Sequence, residues 1–390
     1  MSNVERILQS AEVDSRLTYL SAHKMAGLFY ARILASHDAT SGDALGKCVI
    51  FCFSHLSSTV NLSICNHWIS IFENIYLIPK KSSLNTALLR HVANPTRILR
   101  ARDRSDFKNT VDEIKGILSQ SDLPVILFDI GGYFAPYIDD LSVLLGGRLR
   151  LVLEDTANGH IKYKNTNYYL TSMGFKSVAY DSYKMAENVM VANITVGHVG
   201  SFIPDWSAYR SILVVGYGRI GRSLCFGLRA KGVKNIGVVD IDNARLFMAA
   251  TEGFKAFTRS QLSTTVDKFD YCFAMSGQHG VTPMVLAALK DNSYISVVTS
   301  YDDEFESSVR GLFESGDRET VKWNNKTINI INKGRPINLS KFAAFDARNL
   351  SLHFLFGRIF SSFLGVLGFN RISDWEAEVY ADLLSEIQSS

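Results

Sequence analysis

Proline and cysteine are scarce in this chain of 390 residues, at 7 and 5. With 27 glycines and 47% hydrophobic residues, that scarcity excludes collagen-like and low-complexity organisation. The cysteines (Cys48, Cys52, Cys65, Cys225, Cys272) are odd in number and lack CxxC spacing. A closed disulfide framework is excluded, and reduced, buried thiols in a cytoplasmic chain are expected. An excess of one charge is missing too. Lys+Arg 41 against Asp+Glu 38 leaves +3, and no basic stripe interleaved with aromatics marks a nucleic-acid partner. No cleavable leader is read at Met1 to Ser10, which carries Glu5 and Arg6. The longest apolar stretch, Asn349 to Phe369, is interrupted by His353, Arg358 and glycines, so it reads as a buried amphipathic helix rather than a membrane span. His279 has no second His or Cys at ligand spacing, so no metal is expected.

What is present is alternation. Short apolar runs near Cys48–Phe53, Ile75–Ile78, Val125–Phe128 and Arg150–Leu153 read as strands. They are separated by helical patterns near Val60–Phe72, Asn85–Val92 and Phe107–Leu118. A second series follows at Ser211–Val215, Ile236–Val239, Tyr271–Ala274 and Tyr294–Val298, and then a hairpin turning at Asn324-Asn325. The fold class read from this is α/β, with two doubly wound parallel-sheet, Rossmann-like lobes. Residues 183–345 form the cofactor lobe, inserted into a substrate lobe of 1–182 plus 346–390. A helix from about Ser340 to Leu367 returns the chain to the first lobe.

The strongest local signal is Ser211-Ile-Leu-Val-Val-Gly-Tyr-Gly-Arg-Ile-Gly-Arg222. An apolar strand runs into Gly216-x-Gly218-x-x-Gly221 and then a helix-compatible run. Gly216 permits the tight turn, Gly218 a close backbone approach to a pyrophosphate, and Gly221 packing of helix on strand. The helix N-terminus, with Arg219 and Ile220, faces the anion. A second strand ends at Asp240, about 20 residues on, where a carboxylate accepts the ribose hydroxyls and disfavours a 2′-phosphate. The cofactor is read as NAD. Arg219 and Arg222 are placed at the pyrophosphate end.

From the glycines the run continues through Asp240-Ile-Asp242 to Thr251-Glu252-Gly253-Phe254, and it resembles the cofactor domain of the S-adenosylhomocysteine hydrolase (adenosylhomocysteinase) family. Further co-linear motifs carry the likeness: Phe53-Ser-His55-Leu-Ser57, Leu127-Phe-Asp129-Ile-Gly131-Gly132, Glu154-Asp155-Thr156-Ala-Asn158-Gly159, Tyr180-Asp181-Ser182-Tyr-Lys184 and Lys333-Gly334-Arg335-Pro-Ile-Asn338-Leu339. The resemblance implies a held NAD that oxidises a ribose hydroxyl, acidifies the neighbouring C–H, permits elimination and is regenerated at the end. It implies His55 and Lys184 as proton-transfer groups and Asp155 as a substrate-orienting acid. Glu187 and Asn188 stand where the family has Asp-Asn. Thr156, Asn158 and Asn338 lie near the nicotinamide and its ribose. It also implies a homodimer or homotetramer.

The departures are as specific. Ile130 replaces an acid, Ser300 and Phe345 replace histidines, Ile78-Pro79 replaces a Cys-Asn pair, and the chain ends Ile-Gln-Ser-Ser without a lysine–tyrosine tail. Hydrolysis of S-adenosylhomocysteine itself is therefore not expected. The expected substrate is a nucleoside or sugar-like alcohol. Two alternatives stay open: an NAD-binding protein without turnover, and a 2-hydroxyacid dehydrogenase using Arg310, Glu314 or Glu319, and His353. Among the remaining polar groups, Asp302-Asp303-Glu304 reads as a solvated loop and His67 as a core residue.

Overall fold

The computed structural model describes residues 22–39, 45–202, 211–266, 268–299, 301–313, 319–334, 336–337 and 350–389. The chain divides into two compact units, Met1–Lys184 with Ala344–Ser390, and Met185–Ala343.

Unit 1 holds a five-stranded sheet in the order β2-β1-β3-β4-β5. Its strands are β1 (Val49–Ser54), β2 (Ile75–Pro79), β3 (Val125–Asp129), β4 (Leu149–Glu154) and β5 (Phe175–Ser177), and every pairing is parallel. β1 and β3 are buried at every position because helices cover both faces. That is why these strands read as continuous apolar runs. The order reverses between β1 and β3, so the carboxyl ends of those strands are where a doubly wound sheet places its ligand.

The helix Leu350–Val366 belongs to this unit. Its apolar face closes an aromatic core, with Phe356 and Phe363 centred 5.6 and 5.5 Å from Trp68. Arg358, the charge that interrupts the run, pairs with Asp181 (2.6 Å) and Glu376 (3.0 Å). Among the described residues no helix is long and apolar enough to cross a membrane.

Unit 2 holds a seven-stranded sheet, β11-β12-β10-β9-β6-β7-β8. The strands are β6 (Ile212–Val215), β7 (Ile236–Val239), β8 (Lys255–Phe257), β9 (Phe269–Ala274), β10 (Leu289–Val297), β11 (Thr320–Trp323) and β12 (Lys326–Ile330). Counted from β6, the parallel strands run 3-2-1-4-5-6, the dinucleotide-fold order, with β11 added antiparallel at the edge. The β11–β12 hairpin turns at Asn324 and Asn325, whose positive φ values (43° and 64°) suit a two-residue turn in a right-twisted ribbon.

The expected fold class is found. The sequence reading misses β5 and β8, each three residues long and at a sheet edge. It also overextends one helix: where Asn85–Val92 is expected, only Thr86–Leu89 is helical. All five cysteines are buried and unpaired.

Candidate functional site

In unit 2 the glycine turn follows β6. Gly216 has φ +100°, and a Cβ there would sit 2.8 Å from Ser276 Cα. A Cβ on Gly221 would drive into the Gly216 carbonyl oxygen. The protein's own backbone therefore requires both. Gly218 differs: its φ is −69°, and the nearest atom to a Cβ there would be Arg245 Nη1 at 4.0 Å. Glycine at 218 preserves a space that no atom of the described residues fills. It borders an open pocket lined also by Gly216, Asp240, Ile241, Arg245 and Arg259. The helix Arg219–Ala230 starts here with no side chain capping it, and uncapped first-turn N–H groups suit an anion.

Asp240, just past β7, is 8% exposed. Its Oδ2 accepts from the Tyr217 N–H (2.6 Å) and its Oδ1 from the Asp242 N–H (2.9 Å), with Arg245 Nη1 3.7 Å from Oδ2. These bonds fix the carboxylate at the pocket rim and leave lone pairs on both oxygens for a ligand hydroxyl. The sequence reading passed over Arg245 and Arg259, because neither falls on a motif position. Its placement of Arg222 is corrected. That guanidinium grips Glu252 through Nε and Nη2 (2.8 and 2.6 Å), while Tyr217 Oη donates to the same carboxylate (2.5 Å). Arg219 and Ile220 lie half-buried in the first turn of the helix.

The reading of 302–304 as a solvated loop is also corrected. Tyr301–Glu304 is helical, Asp303 is 5% exposed and Glu304 is fully buried. Glu304 accepts from the Ser276 N–H (2.9 Å), Ser276 Oγ (2.9 Å) and the Gly277 N–H (2.7 Å), and also from Thr299 Oγ1. It clamps the turn after β9 that forms one wall of the pocket. Burial pushes its pKa up to about 7. A carboxyl raised in the folded state holds its proton where the unfolded chain has lost it, so its contribution is complete below about pH 4.5 and fades as pH rises through 7. The thermal midpoint is expected to fall by several degrees between pH 5 and pH 8. Glu304→Gln is expected to lower the midpoint at pH 5 and flatten that slope, as read by calorimetry across pH.

In unit 1 the carboxyl edge gathers residues from several strands. His55 follows β1, and its Nδ1 lies 2.7 Å from Ser83 Oγ. Burial, with the charges of Lys80 and Lys184, holds this imidazole well below its ordinary pKa, so it is neutral at pH 7. Asp155 follows β4 and Lys184 opens the helix Ser182–Phe202; the two form a buried ion pair at 2.7 Å. The second Asp155 oxygen, Oδ1, is buried without a hydrogen-bond partner. Thus His55, Asp155 and Lys184, distant in sequence, all belong to unit 1.

Thr156 is committed locally. It donates to Glu154 (2.7 Å) and accepts from the Gly159 N–H (3.0 Å), capping the helix Ala157–Tyr163. Asn158 in that helix is half-buried. Glu187 (half-buried) and Asn188 (7% exposed) lie further along Ser182–Phe202, in unit 2. Asn338, Ser300 and Phe345 lie outside the described residues. The 2-hydroxyacid set finds no support. His353 is 1% exposed and stacks on Phe29 at 5.3 Å in the unit 1 core. Arg310 lies on Ser307–Phe313, Glu319 is exposed and Glu314 is outside the described residues.

Two buried carboxylates the sequence reading did not assign organise this edge. Asp129, ending β3, accepts from the Tyr133 and Phe134 N–H groups (3.1 and 2.9 Å) and from Tyr163 Oη (2.7 Å). Glu154, ending β4, accepts from the Gly131 and Gly132 N–H groups (2.9 and 3.0 Å) and the Thr156 N–H (2.7 Å). Burial, with Asp129 beside it, pushes the Glu154 pKa up to about 8. Strand register explains the pair, since Asp129 and Glu154 are partners on adjacent strands.

Residues 212–310 match the TrkA-N domain family. No curated protein matches the chain at a significant level. Among solved structures it is similar to a dipicolinate synthase chain from Bacillus subtilis, at 11% identity and TM-score 0.41, covering 82% of this chain and 96% of that one. The corresponding dipicolinate synthase chain from Bacillus halodurans gives 14% identity and TM-score 0.39, covering 82% and 98%. A transhydrogenase from Sinorhizobium meliloti gives 11%, 0.36, 82% and 96%. Strand order and glycine turn show that unit 2 is a Rossmann-type domain.

Proposed function

We propose that this chain is a nicotinamide-dinucleotide-dependent oxidoreductase. Unit 2 holds the dinucleotide, and His55, Asp155 and Lys184 of unit 1 serve proton transfer at a hydroxyl of a nucleoside or sugar-like substrate. The observation that carries the reading is Gly218: protein packing does not require glycine there, and its missing side chain opens onto the pocket beside Asp240. Gly216, Gly218 and Gly221 with the first turn at Arg219 and Ile220 would cradle the pyrophosphate, and Asp240 the adenosine ribose. The cofactor's chemistry is hydride acceptance. The protein's part is to orient the alcohol and take its proton, for which a neutral imidazole and a lysine paired with a carboxylate are suitable groups. Elimination after oxidation, as the adenosylhomocysteinase resemblance implies, is the finer form of this reading.

A second reading, a dinucleotide-binding protein without turnover, is favoured by Ile130, an apolar side chain 1% exposed where the resemblance has an acid. One experiment separates them. Purified protein is titrated with NAD and NADP by calorimetry, then loaded and mixed with nucleosides and sugar acids while absorbance is followed at the reduced-nicotinamide band. Binding followed by reduction that His55→Ala lowers at least ~100-fold supports the oxidoreductase. Binding without reduction by any alcohol supports the second reading. No dinucleotide binding overturns both.

A further inference from the structure

Among the described residues, the charged groups lining the pocket at the glycine turn are one acid, Asp240, and two arginines, Arg245 and Arg259. The strand order arranges them. β6 pairs with β7 and β7 with β8, so the carboxyl edge presents the glycine turn after β6, Asp240 after β7 and Arg259 just past β8. The backbone of Arg259 therefore stands beyond Asp240, on the side away from the turn that suits a pyrophosphate. That is the end where a Rossmann domain holds the adenosine ribose. Arg245 lies between, on the helix Asn243–Thr251.

Asp240 is not a bare negative charge. Its side chain is 4% exposed, each oxygen accepts one backbone N–H, and Arg245 Nη1 lies 3.7 Å from Oδ2. Such a carboxylate still accepts a ribose hydroxyl, but the guanidinium beside it offsets its repulsion of a phosphate. Arg259 forms no ion pair or hydrogen bond among the described residues. The helix it opens, Arg259–Thr264, is capped reciprocally by Thr258 and Gln261, and a cation in a first turn opposes the helix dipole. The helix itself therefore gives no reason for arginine at 259. We propose that Arg259, with Arg245 beside it, reads a phosphate on the adenosine ribose, so that unit 2 takes NADP at least as tightly as NAD. Asp240 keeps the 3′-hydroxyl, Arg245 offsets its charge, and Arg259 donates charge-assisted bonds to the 2′-phosphate. This reverses the expectation drawn from Asp240 alone. It rests on the proposed dinucleotide reading of the same pocket and deepens it by naming the cofactor.

The full chain, free of dinucleotide, is titrated with NADP and, separately, with NAD by calorimetry, as wild type and as Arg259→Gln and Arg259→Lys. Wild type should bind NADP at least as tightly as NAD. Arg259→Gln should weaken NADP binding about tenfold more than NAD binding, the size of one lost charge-assisted contact. Arg259→Lys, which keeps the charge, should retain more of the NADP affinity than Arg259→Gln. Since Arg259 has no partner among the described residues, Arg259→Gln should also melt with the wild type. Wild type that binds NADP more weakly than NAD overturns the proposal. So does Arg259→Gln with equal losses for both dinucleotides, which assigns the guanidinium to the pyrophosphate, or with no loss for either. NAD binding with weaker NADP binding defeats this inference alone. NADP binding without reduction by any alcohol defeats the oxidoreductase reading alone, and binding of neither dinucleotide defeats both.

Discussion

Replacing Gly218 by alanine should leave the protein as stable as before and cost it at least tenfold in dinucleotide affinity. Among the described residues the new methyl group meets only the end of the flexible Arg245 side chain, at 4.0 Å, so their packing has no reason to change. Dinucleotide binding does, because the pyrophosphate must approach the backbone at this residue. Gly221→Ala should behave oppositely. Its Cβ collides with the Gly216 carbonyl, a backbone atom that cannot swing aside, and Gly216 is itself pinned against Ser276. Forced overpacking costs about 1–3 kcal/mol or more, so unit 2 should melt well below the wild type. Calorimetric melting with NAD titration of both variants checks the pair. A Gly218→Ala protein that binds NAD unchanged removes the pocket from consideration.

The second large effect concerns Lys184 and Asp155. Both are nearly buried, with side-chain exposures of 10% and 6%, and they face each other at 2.7 Å. Removing one partner strands a charge in a low-dielectric site, which typically costs about 3–5 kcal/mol. Lys184→Met should therefore lower stability sharply, more than its lost contacts alone would suggest, because Asp155 Oδ1 already lacks a partner and Oδ2 would lose its own. Asp155→Leu with Lys184→Met should regain most of that loss, since replacing a buried pair with apolar side chains is often near neutral. Turnover should not return in the double variant. Denaturant melts and the absorbance assay together separate a purely structural pair from one that also moves protons. Restored turnover in the doubly apolar protein would exclude Lys184 and Asp155 from the chemistry.

The features legible from sequence are those with local physical causes. The need for glycine at 221 comes from the Gly216 carbonyl, a backbone atom close in the chain, so the glycine spacing shows directly. Fully buried parallel strands such as β1 and β3 show as unbroken apolar runs. The Asn324-Asn325 turn shows because few residues accept its dihedral angles. What stayed hidden depends on partners far apart in the chain. Glu304 looks like one of three surface acids until the turn at Ser276–Gly277 offers its N–H groups. Arg222 looks like a phosphate ligand until Glu252, thirty residues on, takes it. Arg245 and Arg259 belong to no motif, and only the folded sheet brings them to one pocket beside Asp240. β5 and β8 are too short to show a period at all.

The interior placement of every sulfhydryl has a practical corollary. With Cys48 and Cys65 pushed up to about 12 by burial and the other three raised likewise, none presents a nucleophilic thiolate at neutral pH. The wild-type chain should ignore maleimides while folded. One cysteine engineered onto each unit's surface would then be a clean attachment point for a spin or fluorescent label, giving a molecular ruler whose reading can be followed as dinucleotide is added.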